Sequence, residues 1–469
     1  MNRKEFLKQF GLISGSAFIA LQAPAMGSLK HDSTISGKVS YQGKGIAKAV
    51  LSDGFSVVQT DKEGNYQIQV NPLAHAIFLS TPAGYEFNSF NHVTQQYEHL
   101  GARNQYNFKL QKLKQNDDHH HFIIWADPQV KNKSDVEKMM TTSVPDVQEV
   151  VKSIGKNALI HGITVGDIVW DNLFLYEDYN QAVAKMGIPF FQALGNHDMD
   201  YRQGGDETSD KTFKKYYGPT YYSFNRGKAH YIVLDDVRYL GTERNYDGYI
   251  TEAQLAWMEK DLAFIPADNL VIINLHIPVY SSVKNRAAFY EILKNHKNVH
   301  VMSGHTHHNK NVFQNGIYEH IHGTVCGAWW TGPICEDGTP RGYGVYEVKG
   351  NRLSWYYKST GKPRAHQISI DVEELTNQKR VLANIWNHDP QWKIACYLDG
   401  KLVEMEKTIG FDPEAVRLYK GDKLPSGRTF AEPKKTDHIF MVHAGPDLQH
   451  VKIVATDPFG NQYIAEKKA

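Results

Sequence analysis

Five times between Phe122 and His307, an apolar run of strand length ends directly in residue types that bind metal ions. Phe122–Ala126 runs into Asp127-Pro128-Gln129, Leu159–Val165 into Gly166-Asp167-Ile168-Val169-Trp170-Asp171, and Pro189–Leu194 into Gly195-Asn196-His197-Asp198. Val271–Leu275 ends in His276, and Val299–Ser303 in Gly304-His305-Thr306-His307. A sixth run, Tyr231–Leu234, completes the set. Apolar runs of this length, separated by helical stretches, predict a layered α/β domain. Ligands in such folds gather beyond the carboxyl ends of the strands, so five segments remote in sequence are expected to meet at one site. A single buried Asp after a strand is ordinarily a turn or cap, and a single strand-end His is ordinarily core. The recurrence carries the inference. Ser134-Asp135-Val136-Glu137 and Thr251-Glu252-Ala253-Gln254 have the spacing of capping boxes and predict helix starts. Gly166, Gly195 and Gly304 are expected to let the backbone turn sharply just before each ligand, where a Cβ would clash or forbid positive φ.

The donors are oxygen and imidazole. The three cysteines, Cys326, Cys335 and Cys396, have no CxxC spacing, which argues against thiolate zinc sites and thioredoxin-like redox chemistry. Such a donor set fits Mn²⁺, Fe²⁺/Fe³⁺ or Zn²⁺. One carboxylate among them, placed centrally, can bridge two ions, and ions ~3.5–4 Å apart stabilise both the attacking and the leaving oxygen of a displacement at phosphorus. The net charge of +1 provides no global field for nucleic acid or anionic lipid, so an anionic substrate has to be attracted locally.

The ordered set D-P-Q, G-D-x-x-x-D, G-N-H-D, a strand-end H and G-H-T-H, from Asp127 to His307, resembles the calcineurin-like metallophosphoesterase family. The resemblance implies a four-layer α/β/β/α domain around two divalent metal ions. Asp127, Gln129 and His307 would hold the first metal, Asp167 would bridge both, and Asn196, His276 and His305 would hold the second. It implies hydrolysis of phosphate monoesters or diesters by attack of a metal-bound hydroxide, with His197 beside the leaving group and Asp198 orienting it. Gln129 stands where many members have His. An amide is a weaker, neutral ligand, so the first metal is expected to exchange readily.

The flanks read differently. Residues 1–25 have a basic start (Arg3, Lys4, Lys8), an apolar stretch from Phe10 to Leu21 and Ala23-Pro24-Ala25, the layout of an export signal. Asn2 to Lys8 resembles a twin-arginine motif with Lys4 in place of the second arginine, so that route and the general secretory route both stay open. No cysteine precedes Cys326, which excludes a lipid-modified cysteine after the signal, and no apolar stretch reaches ~20 residues, so the mature chain is expected to be soluble outside the cytoplasm. Short β-type runs with turn signals over residues 33–110 predict a β-sandwich, similar in its motif order to carboxypeptidase-regulatory or transthyretin-like domains. Gln111 to His120 reads as a linker, and Asp117-Asp118-His119-His120-His121, though metal-like in composition, as solvated chain ahead of the first strand. The catalytic domain is placed at residues 120–360 and a β-rich domain at 368–469. Trp170 and the stretch Cys326 to Pro333 are candidates for the site wall, and Arg202, Arg238 and Arg286 for phosphate clamps.

The first reading is therefore an exported two-metal phosphoesterase, favouring phosphomonoesters. The alternatives are a phosphodiesterase for a lipid, nucleotide or glycan diester, and a non-catalytic binding protein on the same fold. The last is disfavoured because every ligand position is filled by a competent residue.

Overall fold

The structure, a computed structural model, describes residues 33–426 and 431–469; the export signal read from residues 1–25 lies outside them. The apolar runs form the centres of two mixed sheets. The first has seven strands in the order Arg352–Ser359, Gly342–Lys349, His119–Trp125, Ile160–Val165, Phe190–Ala193, Val93–Thr94 and Ser89–Phe90. The second has six, Tyr222–Arg226, Ala229–Val233, Leu270–Asn274, Asn298–Ser303, Ile317–Ile321 and Lys310–Gln314. Pairing is parallel from His119–Trp125 to Phe190–Ala193 in the first and from Ala229–Val233 to Ile317–Ile321 in the second. A strand covered on both faces has no polar side to alternate with, and all five residues of Leu270–Asn274 are accordingly buried.

The sheets meet through aromatic rings. Phe191 of the first sheet stacks on Phe224 of the second at 3.7 Å between centroids, Phe224 stacks on Tyr231 at 4.7 Å, and Phe122 meets Tyr231 edge-on at 5.4 Å. Each ring withdrawn from water contributes roughly 1.5–3 kcal/mol. Helices are tied to each sheet by polar contacts. Tyr179, on Tyr176–Met186, bonds Thr164 at 2.6 Å, and Asp146, on Val144–Ile154, accepts from Tyr343 Oη (2.6 Å) and Lys358 Nζ. Asp261, on Glu252–Leu262, bonds His230 of the second sheet at 2.9 Å.

Thr251 caps its helix by accepting from the Gln254 amide at 3.3 Å. The other predicted cap is displaced: Asn132, in extended backbone, accepts from Asp135 N, and Ser134 lies inside the helix Lys133–Lys138. Asn is among the strongest N-caps, and its side-chain oxygen satisfies one of the free amides of the first turn.

Residues ahead of the catalytic sheets form two small four-stranded sheets around a core that includes Val39, Leu51, Ile68 and Tyr106. This part is not self-contained. Its hairpin Ser89–Phe90/Val93–Thr94 supplies the last two strands of the seven-stranded sheet, and Phe78 and Phe87 enter the catalytic core. The first catalytic strand begins at His119, so the stretch read as linker ends earlier than expected. His120 is buried, with Nδ1 2.9 Å from Asp117 O and Nε2 2.7 Å from Tyr231 Oη, so the His run is sheet and not solvated chain. At the other end, two four-stranded antiparallel sheets enclose a core with Val381, Val451 and Ile453, and the helix Pro413–Lys420 packs Ala415 and Tyr419 in a separate cluster with Ala328.

Candidate metal centre

Every ligand position expected from the sequence falls beyond the carboxyl end of a parallel strand, and the two sheets bring them within hydrogen-bonding reach of one another. His276 Nε2 lies 3.0 Å from Asn196 Oδ1, 3.3 Å from Asp167 Oδ1 and 3.1 Å from His305 Nδ1. Gln129 Nε2 donates to Asp167 Oδ2 at 3.0 Å, and His307 Nε2 lies 3.5 Å from Asp127 Oδ1. One ligand atom each of Asp167, His276 and His305 lies within 4.8 Å of the others. Asp167 stands between the two groups, in contact with members of both.

The backbone is bent to make this possible. Asp127, Gln129, Asp167, Asp171, His305 and His307 all have φ between +44° and +68°, a region costly for residues with a side chain. Of the three glycines expected to turn the chain, only Gly166 has positive φ (+82°). Gly195 and Gly304 serve a different need, close approach: a Cβ on Gly195 would lie 2.0 Å from Asp167 N, and one on Gly304 2.5 Å from Asp127 Oδ2.

Imidazole orientation is set by neighbours. His276 Nδ1 donates to Val165 O at 2.9 Å, which leaves Nε2 facing the other ligands. Its backbone amide donates to Asp236, as does that of Ile277. Asp236 ends the sixth apolar run, the one without an assigned ligand, and burial pushes its carboxyl up to about 7 against those hydrogen bonds. The sequence reading missed it, although a carboxylate at the end of the remaining central strand was the available signal.

The charges compensate. Burial opposes ionisation of Asp167, but His276 and then His197 outweigh it and hold the carboxyl below its usual range. Burial likewise opposes charge on His276, and Asp167 overrides it, raising the imidazole to about 10. His305, beside the charged His276, is pushed down to about 3 by burial first and that neighbour second. A site that keeps protons on imidazole to balance buried carboxylate is one where cations can replace protons. Gln129 Oε1 and His307 Nδ1 are buried without a hydrogen-bond partner, which suits a ligand set lacking its ions. The donor set fits the two ions.

The His197 contacts correct one expectation. Its Nδ1 lies 2.8 Å from Asp171 Oδ1, so Asp171, the last residue of G-D-x-x-x-D, orients it and not Asp198. Asp198 is fully buried and accepts from the amides of Gly195 (2.9 Å), Ile168 (3.1 Å) and Val169 (3.2 Å), clamping two ligand loops together. Local sequence could not separate the two aspartates, because a side chain next in sequence to His197 points away from it. Asp171 Oδ2 in turn lies 2.6 Å from Arg244 Nη2. The arginines singled out from sequence are engaged elsewhere: Arg202 with Glu243, Arg238 with Asp247, and Arg286 with Val283 O.

Aromatic walls enclose the centre. Trp170 lies 4.8 Å from the His197 ring, Trp329 4.6 Å from His307, and the two indoles meet at 6.0 Å. Trp330 is core, its Nε1 donating to Pro128 O at 2.8 Å. Cys326, Cys335 and Cys396 are buried free thiols.

Two mixed sheets facing each other, with carboxylate, amide and imidazole ligands converging from their strand ends, define a phosphoester-hydrolysing metalloenzyme. Three family profiles match in succession: residues 33–113 the N terminal of Calcineurin-like phosphoesterase, 107–309 the Calcineurin-like phosphoesterase itself, and 319–463 the C terminal of Calcineurin-like phosphoesterase. The chain belongs to the calcineurin-like phosphoesterase family, whose members use a dimetal centre. No curated protein matches it. Among solved structures, a dimetal phosphatase from Danio rerio is 14% identical over 51% of this chain and 97% of its own, with a TM-score of 0.37. GAP50, the anchor in the inner membrane complex of Plasmodium, is 16% identical over 51% of this chain and 84% of its own, also at 0.37. A phosphopantetheinyl hydrolase from Mycobacterium tuberculosis is 8% identical over 44% and 91%, at 0.24.

Proposed function

We propose that the protein is an exported phosphomonoesterase using two divalent cations, Mn²⁺, Fe²⁺/Fe³⁺ or Zn²⁺, the first held by Asp127, Gln129 and His307, the second by Asn196, His276 and His305, with Asp167 between them. The observation that carries this reading is the convergence of those seven side chains beside the His197–Asp171 pair. Two cations held by these residues would lower the pKa of water toward neutrality and would offset the charge that gathers on the phosphoryl oxygens.

The chain's own residues do the rest. Asp171 accepts a hydrogen bond from Nδ1–H of His197, holding the ring's orientation and leaving Nε2 to meet the leaving oxygen. Asp167 anchors the same loop by accepting from the His197 amide at 2.8 Å. Trp170 and Trp329 exclude water from one side. Beyond Asp171, Asn172 and Tyr201 a cavity of about 560 Å³ opens, lined also by Arg202, Lys215 and Arg244, with room for a leaving group. The guanidinium of Arg244 near His197 favours the more highly charged monoester over a diester.

The test is hydrolysis of an aryl phosphate and a bis-aryl phosphate by residues 26–469, before and after chelation and re-addition of Mn²⁺. Turnover lost on chelation and faster for the monoester is the expected result. Faster diester turnover favours the diesterase reading. Absence of both turnover and bound metal overturns the enzyme reading. Asp167→Asn is expected to lose bound metal, and wild-type metal content in that variant would remove Asp167 from between the ions. Export is checked by the N-terminus of the secreted chain, expected at Met26.

A further inference from the structure

A second set of metal-ligand residues lies outside this centre, at the start of the same sheet. In the strand His119–Trp125 successive side chains alternate between faces. His120 enters the core, so His119 and His121 share the opposite face. The antiparallel neighbour Gly342–Lys349 sets Glu347 directly across from His121 and Lys349 across from His119. As a result Glu347 Oε1 lies 2.8 Å from His119 Nε2 and 3.6 Å from His121 Nε2, and the three ligand atoms all fall within 4.8 Å of one another.

We propose that His119, His121 and Glu347 form a third metal site, separate from the dinuclear centre, that takes a borderline transition-metal ion, Zn²⁺ or Cu²⁺. Two imidazoles and a carboxylate select such ions over Mg²⁺ and Ca²⁺, which prefer oxygen alone. Donors bound ~2.0–2.2 Å from one tetrahedral ion are roughly 3.3 Å apart, and the observed separations bracket that value. The donors sit on two adjacent strands of one sheet, so little order remains to be imposed when the ion binds. Three protein ligands leave a fourth position, and here it borders a cavity of about 1130 Å³ lined by Asp146, Lys358, Arg364 and Phe459 as well as by the ligands.

Two further observations bear on the site. His121 is largely buried, and its Nδ1 has no hydrogen-bond partner among the described residues. Lys349 Nζ lies 2.7 Å from Glu347 Oε1, where its charge stands in for the ion. Metal and ammonium therefore compete for one carboxylate, and removing the ammonium strengthens metal binding.

The experiment uses the full chain equilibrated with Zn²⁺, desalted, and measured for metal per protein by mass spectrometry, with Zn²⁺ titration calorimetry alongside. His119→Ala/His121→Ala is expected to hold one ion fewer than wild type while its phosphoesterase activity is unchanged. Glu347→Gln, a milder change, is expected to weaken that one ion at least tenfold, and Lys349→Met to tighten it. With Cu²⁺ as probe, wild type alone should add a paramagnetic signal split by two nitrogens. Equal metal content in wild type and the double variant, or a Zn²⁺ affinity indifferent to both Glu347→Gln and Lys349→Met, overturns the site. The comparison is a difference of one ion, so it is read independently of how the dinuclear centre is filled.

Discussion

Asp171 and Asp198 flank His197 in space and in sequence respectively, and the contrast between them shows how one residue type does two jobs. Asp171 is partly exposed and its carboxylate touches the imidazole; Asp198 is fully buried, its carboxylate accepting from backbone amides and its backbone carbonyl from the Tyr176 hydroxyl. Asp171→Asn should therefore lower turnover at least tenfold with stability and metal content near wild type, because a neutral amide no longer fixes the His197 tautomer. Asp198→Ala strands three buried N–H groups, at about 1–3 kcal/mol each, and should lower the melting temperature sharply. His197→Ala should lose ~10²–10⁴-fold in turnover and keep its metal. The three variants are compared by melting temperature, metal content and turnover of the same aryl phosphate. Should Asp171→Asn leave turnover untouched while Asp198→Ala abolishes it at unchanged stability, the original assignment of Asp198 as the orienting residue would be restored.

At the scale of strands, what was legible followed from local chemistry. An apolar run followed by Gly and a ligand is a statement that one short segment makes by itself, and all six central strands lie where such runs predict, within three residues at each end. The hairpin Ser89–Phe90/Val93–Thr94 was not legible, because its place in the sheet depends on Val93 pairing with Phe190, a contact nothing near Val93 announces. His119-His120-His121 was misread for a related reason. Three identical residues carry no alternation, and only the partner strands reveal that the middle one is core.

That middle residue has a consequence for acid stability. His120 Nδ1–H donates to Asp117 O and Nε2 accepts from Tyr231 Oη, so the neutral ring is satisfied while a charged one would be buried away from water. Burial pushes it down to about 3, and His300, also by burial, to about 3. Both pKa values lie below the unfolded value of about 6.5, so the unfolded chain binds protons that the folded chain refuses. Stability is full above about pH 6.5 and falls as pH drops toward 3, by about 1.4 kcal/mol per pH unit for each such histidine. Denaturant unfolding from pH 7 to 4 should show that slope, and His120→Gln should flatten it by about one proton even if it lowers stability throughout. An unchanged slope in His120→Gln would show that His120 is charged when folded.

Over the whole molecule, the flanking parts are joined to the catalytic sheets closely enough to affect the site. The N-terminal part completes one sheet, as its hairpin shows. The C-terminal part reaches the chain just after His305 and His307 through contacts that include one buried carboxylate. Asp337 accepts from Asn309 N at 2.9 Å and Thr339 Oγ1 at 2.8 Å, and it pairs with His438 Nε2 of the strand Lys435–Ala444 at 3.1 Å. Asn309 Nδ2 meanwhile donates to Trp386 O at 2.7 Å. Burial opposes ionisation of Asp337, yet the His438 contact outweighs it and holds the carboxyl at about 2. Its folded pKa is below the unfolded ~3.9, so this stabilisation is present above about pH 4 and lost as pH falls toward 2, mostly at lower pH than the window in which His120 acts. Removing one partner of such a buried pair costs about 3–5 kcal/mol, because the other is left uncompensated. Asp337→Ala should lower stability by that order and, by loosening Asn309, weaken retention of the metal nearest His307 on dialysis against a chelator. His438→Gln, which leaves the Asn309 contact in place, should destabilise less and keep the metal. If Asp337→Ala holds metal as tightly as wild type, the C-terminal part is an attachment that stabilises the chain without reaching its chemistry. If it loses the metal, a carboxylate 30 positions beyond the last ligand, His307, and tied to the C-terminal part helps decide whether the centre is filled.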